Sequence, residues 1–166
     1  MLRLVMCTAL LCGILNVGFA QQTSANTDTA TCSFQDGNQL SVRYNGESTG
    51  GKDGLPEGKL WTADSVPMLL FTPVKLFIGS SEIPVGAYSM YVIPHKNGWT
   101  LILNKNVSAG SKYDEHQDLL RVEMQVGQLS AQNKQFTVLF GHVAPRQCNM
   151  RMYYGKTGAW TEFKEQ

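Results

Sequence analysis

The sequence predicts an all-β fold, an antiparallel β-sandwich or flattened barrel of about eight or nine short strands. Short runs alternate apolar and polar residues with period two, as in Leu40, Val42 and Tyr44 against Ser41 and Arg43. Glycine, proline and asparagine interrupt these runs at short intervals, as turns require. No segment sustains a helical period, and there is no internal repeat.

The first twenty residues read as a leader rather than as part of this fold. Met1-Leu2-Arg3 is a short basic start, residues 4–17 are apolar, and Gly18-Phe19-Ala20 places small residues before a cleavage point at Gln21. That is the pattern of a secretory signal peptide. A membrane-spanning helix is the alternative, but the run is short for a bilayer and a polar stretch follows at once. Cys7 follows Val5-Met6 and Cys12 follows Leu10-Leu11, neither of them a lipoprotein site. The expected location is periplasmic or extracellular.

Residues 21–31 have no large apolar side chain and are expected to form a flexible tail, with a single domain over residues 32–166. Residues 40–44 are the first strand expected. Residues 45–59 hold five glycines and one proline, a long turn-rich loop. Trp61, just after it, either lines a groove or packs as a buried edge residue. Residues 67–71 form the next apolar run. Pro73 then removes a ladder donor and marks an edge or a bend.

Residues 74–78, 86–93 and 99–103 are expected to form a three-stranded antiparallel meander at the centre of the domain. Gly79-Ser80-Ser81 and His95-Lys96-Asn97-Gly98 separate them, and Asn97-Gly98 tolerates positive φ at both residues. In the middle strand Tyr88, Met90 and Val92 share one face and Ser89, Tyr91 and Ile93 the other. Large residues on both faces place it mid-sheet, covered on both sides. Residues 106–117 read as a polar loop, with a short helical turn near residues 113–118. Residues 120–126 are a strand with one polar face, on which Arg121 and Glu123 form a weak surface pair. Residues 127–134 read as a second polar connection. Residues 136–143 and 148–154 are strands, and Gly155-Lys156-Thr157-Gly158 is expected to turn the chain into a final short strand at 159–163.

The chain carries 14 Lys and Arg against 13 Asp and Glu. Losing Arg3 with the leader leaves 13 against 13, so electrostatic recruitment to nucleic acid or anionic lipid is not expected. No apolar run after the leader is long enough to cross a bilayer. Only Cys32 and Cys148 lie outside the leader, and in an exported chain they read most simply as one disulfide. In the chain-entropy model a loop of this length contributes about 4–5 kcal/mol before strain. Two free thiols, or half of a metal site, are the alternatives, without a Cys-x-x-Cys pair to support the latter.

The blocks Gly58-Lys59-Leu60-Trp61, Ile83-Pro84-Val85-Gly86-Ala87-Tyr88-Ser89-Met90-Tyr91-Val92-Ile93-Pro94, Trp99-Thr100-Leu101-Ile102-Leu103-Asn104-Lys105, Tyr113-Asp114 and Leu120-Arg121-Val122 follow one another in a specific order and spacing. Over most of the domain the chain resembles the bacterial family known as domain of unknown function 2911. The resemblance implies an exported, β-rich bacterial protein and assigns no activity. The chain departs from the family's pattern after the early tryptophan. Many members have Arg-Thr-Gly-Ala-Asn there, and this chain has Thr62-Ala63-Asp64-Ser65-Val66.

His95, His116 and His142 lie in a turn, a loop and a strand, with no pair at the close spacing of a metal motif, so neither metal nor cofactor is expected. His142 shares a face with Phe136 and Phe140 and is expected in the core; His95 is expected as a solvated turn residue. Asp114, Glu115, His116 and Asp118 form a compact polar cluster. It has the groups for general acid–base chemistry and equally those of a solvated loop capping a turn. There is no Gly-x-Ser-x-Gly elbow, an oxidised Cys148 offers no thiolate, and Gly50-Gly51-Lys52 lacks the strand and helix of a phosphate loop. Trp61, Tyr91, Tyr153 and Trp160 are candidates for a surface that stacks on a sugar ring or an apolar ligand, with core packing the alternative for each.

The reading that follows is a non-catalytic exported β-sandwich that binds a small molecule, a glycan or an envelope partner. Its alternative is a secreted hydrolase or metal-dependent enzyme using Asp114 and His116 together with His142. A purely structural role in the envelope is the third.

Overall fold

The structure, a computed structural model, describes residues 27–166, the side chain of Asp64 excepted. Residues 1–26, among them the expected leader, lie outside the described residues. Nine strands follow in order: β1 (Thr27–Ser33), β2 (Gln39–Asn45), β3 (Met68–Thr72), β4 (Leu76–Ile78), β5 (Ser81–Ile83), β6 (Gly86–His95), β7 (Gly98–Asn104), β8 (Asp118–Ala144) and β9 (Gln147–Glu165). Neighbours pair antiparallel in the order β1-β2-β3-β6-β7-β8-β9-β4-β5, so the sheet has two ends and is not closed. It folds over at β8. The first part of β8 pairs with β7, and the rest pairs with β9. The result is an antiparallel all-β sandwich, as the period-two pattern predicts. The helical pieces among the described residues are two single 3₁₀ turns, Ala63–Ser65 and Glu115–Gln117. The second falls where a short helical turn is expected. No described helix is long and apolar enough to cross a membrane.

Alternation builds the core. Leu40, Val42 and Tyr44 of β2 point inward, as do Met68 and Leu70 of β3 and Met150 and Met152 of β9, all buried. Rings lock the layers: Phe136 meets Tyr44 edge-on at 5.6 Å and Trp61 at 4.8 Å, and Phe140 meets Phe163 at 6.3 Å. Such pairs add about 0.5–1.5 kcal/mol beyond the area they bury. Cys32 of β1 and Cys148 of β9 form a disulfide across a sequence separation of 116. Trp61 is a half-buried edge residue, with its backbone bridged to Val92 and its ring on Phe136 and Tyr154.

Several elements differ from the sequence reading. β1 starts at Thr27, inside the stretch expected as a tail. Only Ala30 and Cys32 turn inward, and seven register pairs with β2 supply what the side chains lack. The central meander is β3-β6-β7, with β3 where residues 74–78 were expected. Pro73 ends β3, and the chain crosses to the other layer. There β4 hairpins with β5 about Gly79, at φ 58°, and pairs with β9. At the β6–β7 turn His95 faces Gly98, and neither Asn97 nor Gly98 has positive φ. Gly98 has another constraint: a Cβ there would lie 2.6 Å from the Glu123 carboxylate. β6 does lie mid-sheet with both faces covered.

The largest difference is in the second half. Residues 127–134 are no connection, and residues 155–158 do not begin a new strand. β8 and β9 run through both segments as one long hairpin with an irregular ladder, pairing Gly127 with Gly158 and Asn133 with Gly155. Inward-facing positions on β9 are even up to Tyr154 and then odd at Ala159 and Phe163. The facing of β9 thus changes by one residue across this point, opposite a stretch of β8 between Gln128 and Thr137 that carries extra residues in the ladder, as in a β-bulge. Gly155 sits at that point with φ 58°. A Cβ on it would lie 2.6 Å from the Asp53 carbonyl oxygen, and closer still to that of Lys52. The glycine-rich loop is thereby pressed against the bend. It is tied down by Lys156 N–H donating to Asp53 O at 2.8 Å and by Gln132 Nε2 donating to Gly51 O at 2.9 Å.

Candidate functional site

Most of the sequence candidates lie on two outer faces, those turned away from the core. The first is the outer face of β6, β7 and β8. Register sets Tyr91 beside Ile102 and Ser89 beside Asn104, and all four are buried. Residues 105–117 fold over them, closed at the base by Lys105 N–H donating to Gln117 O at 2.9 Å. Tyr113 in this cover meets Tyr91 edge-on at 4.9 Å. The Tyr113 hydroxyl donates to Asp118 Oδ2 at 2.7 Å, and Arg121 Nε donates to the same oxygen at 2.7 Å. Asn104 Nδ2 donates to Asp118 Oδ1 at 2.8 Å, and an Arg121 Nη donates to the Tyr113 oxygen at 2.6 Å. Arg121 therefore pairs with Asp118, and at 3.7 Å with Glu115, not with Glu123. Burial, and after it the Asp118 carboxylate, push the Tyr113 phenol up to about 12. Burial likewise raises Tyr91.

These contacts leave little for chemistry. Asp118 has three donors on its two oxygens. Asp114 accepts from the His116 backbone N–H at 3.1 Å and from Gln117 Nε2 at 3.1 Å, the geometry of a residue capping its own turn. The Gln117 amide, then the His116 N–H, hold its carboxyl below the usual range. His142 is not in the core. It is exposed next to the irregular end of the β8–β9 ladder, although its partner Cys148 is buried. His95 is exposed at its turn. Among the described residues no three His, Cys, Asp or Glu side chains are grouped to hold a metal ion.

The second outer face belongs to the β8–β9 hairpin, and it is open. Its shape comes from the bend at Gly155. Residues five apart on a straight strand lie about 16 Å apart on opposite faces. Here the Tyr153 ring lies 3.1 Å from where a Gly158 Cβ would be, and Trp160 lies 3.1 Å from where a Gly127 Cβ would be. Gly127 and Gly158 are cross-strand partners, so bare backbone forms a floor on which the two rings rest. The groove between them is about 330 Å³, and Leu129, Asn149 and Arg151 complete its walls. Trp160 Nε1 donates to Gln125 Oε1 at 2.7 Å, which fixes the indole edge. Arg151 Nε donates to Asn149 Oδ1 at 2.8 Å. Trp160 and Asn149 also border a second cavity of about 510 Å³, whose walls include Ser80, Ser81, Glu123 and Glu162.

The structure thus brings Tyr153 and Trp160 together on an accessible concave surface. Tyr91 lies under its cover and Trp61 at the edge of the core, both away from the groove. Sequence reasoning did not single out Gly127, Gly158, Asn149 or Arg151. The one signal for them is the change from even to odd inward positions across Gly155.

Residues 23–163 of the chain match the family described as "Protein of unknown function (DUF2911)". No curated protein matches the chain, and no solved structure does.

Proposed function

Because the chain belongs to the DUF2911 family, whose description names no activity, we propose a function from its own surface: an exported, non-catalytic β-sandwich that binds a small cyclic molecule or a glycan between Tyr153 and Trp160. One observation carries this reading. Two aromatic rings rest on a glycine floor at the sides of a concave groove, while the other candidate aromatics are occupied by packing. Tyrosine and tryptophan offer a flat apolar body with a polar tip, which suits a sugar or a comparable ring. The glycine floor and the hydrogen bond from Trp160 Nε1 to Gln125 Oε1 hold the rings in place before any ligand arrives, which lowers the ordering cost of binding. The signal-like leader supports export, and so does the Cys32–Cys148 disulfide, a bond that persists in oxidising compartments.

The test is a thermal-shift screen of the oxidised protein against glycans, cyclic metabolites and divalent metals. A ligand that binds only the native state raises the melting temperature by mass action. The expected result is a shift with a sugar or a ring compound that disappears in Trp160→Ala. A shift with zinc that disappears in His116→Ala or His142→Ala would transfer the assignment to a metal-dependent enzyme. No shift with any compound removes the binding reading.

A further inference from the structure

Charge along the groove is unequal, and it narrows the ligand. Arg151 has one hydrogen bond, from Nε to Asn149 Oδ1, and no carboxylate partner among the described residues. A guanidinium presents five N–H donors in a fixed fork. With Nε oriented by Asn149, both Nη groups remain to receive an anion, and a carboxylate matches their spacing. On the far side of Trp160 the sign reverses. Glu123 and Glu162 border the second cavity beside the hydroxyls of Ser80, Ser81 and Thr161. Glu162 accepts from Gln147 Nε2, and among the described residues no cation pairs with either carboxylate. An anionic group there meets repulsion, whereas sugar hydroxyls meet acceptors and donors. The two cavities share Trp160 and Asn149, so a ligand longer than one ring passes over the indole from one to the other.

Resting on the groove assignment above, we infer that the ligand is a mixed oligosaccharide: a uronic-acid ring held by Arg151 between Tyr153 and Trp160, joined to a neutral ring beyond Trp160. The chemistry is directional. The carboxylate sits on one side of the indole, and no carboxylate is tolerated on the other.

Isothermal titration of the oxidised protein with matched disaccharides tests this. In each set both rings, one ring or neither ring carries a carboxylate, with the glucose, galactose and mannose series as probes. The single-carboxylate member is expected to bind about tenfold more tightly than the neutral member, the size of one hydrogen bond to a charged group. That preference should shrink as salt rises. Arg151→Gln should abolish it while leaving the melting temperature in place. The double-carboxylate member should bind more weakly than the single one, and Glu123→Gln with Glu162→Gln should close that gap. Neutral members that bind as tightly as acidic ones overturn the charge assignment and leave the ring-binding reading standing. Absence of binding by every disaccharide overturns the inference, and the wider thermal-shift panel then decides the reading beneath it.

Discussion

The two outer faces of the sandwich carry nearly the same side chains and put them to opposite uses. On β6–β8, Tyr91, Tyr113 and Arg121 close on one another and on Asp118, under a cover supplied by residues 105–117. On the β8–β9 hairpin, Tyr153, Trp160 and Arg151 stand around a groove that, among the described residues, has no covering loop and no carboxylate for the arginine. Residue type therefore says little about which aromatic meets a ligand. What separates the faces is whether the chain returns over its own sheet to satisfy them. The satisfied face contributes to stability, and the open face keeps its capacity for something outside the chain.

The largest effect should come from the bend that makes the open face concave. Gly155→Ala puts a Cβ against the backbone of residues 52 and 53 at a φ that favours glycine. We expect a loss of about 3 kcal/mol or more in urea unfolding, with the groove lost as well. A variant of wild-type stability would show that the bend does not depend on this residue. Next comes a crossed pair. Asp118→Ala leaves Tyr113, Arg121 and Asn104 without their acceptor and should cost about 2 kcal/mol without touching ligand-induced shifts. Trp160→Ala should cost about 1 kcal/mol or less and abolish those shifts. Equal stability losses with unchanged ligand response in both would erase the distinction between the faces. The smallest effect is alkaline. The folded phenol of Tyr113 ionises near 12 instead of the ordinary 10, so the native state holds that proton more tightly than the unfolded chain. Its contribution is whole below pH 10 and declines as pH rises from there to about 12. Tyr44, Tyr88, Tyr91 and Tyr154 are raised as well, so the residue-specific part is the difference from Tyr113→Phe, in which the alkaline fall should be shallower.

Most strands were legible because one of their faces packs the core and period two survives in the sequence, as in Leu40-Val42-Tyr44. The elements that were not legible owe their structure to something other than buried side chains. β1 is read as a tail because its stability lies in its ladder with β2. Residues 127–134 look like a loop because the hairpin there packs little core on either face, and backbone pairing with residues 155–158 carries it. The site follows the same rule. Tyr153 and Trp160 stand out by type, but their meeting over Gly158 and Gly127 depends on the change of facing along β9 at Gly155. His142 shows the converse error: alternation with Phe136 and Phe140 placed it in the core, but it is exposed beside an irregularity of the ladder that the alternation does not reveal.

The bridge between Cys32 and Cys148 also determines how the molecule bears load. Tension applied at Thr27 and Glu165 runs along β1 to the sulfur pair, crosses it, and leaves through the remainder of β9. The 116-residue interval between the cysteines carries none of it. That interval contains the entire covered face, from Tyr91 to Arg121, which is mechanically shielded. Tyr153 and Trp160 lie outside it, on the loaded segment. In a tethered molecule under force, β1 up to Cys32 and β9 beyond Cys148, the groove with it, are the segments that bear the load, with the rest of the sandwich behind a covalent shunt.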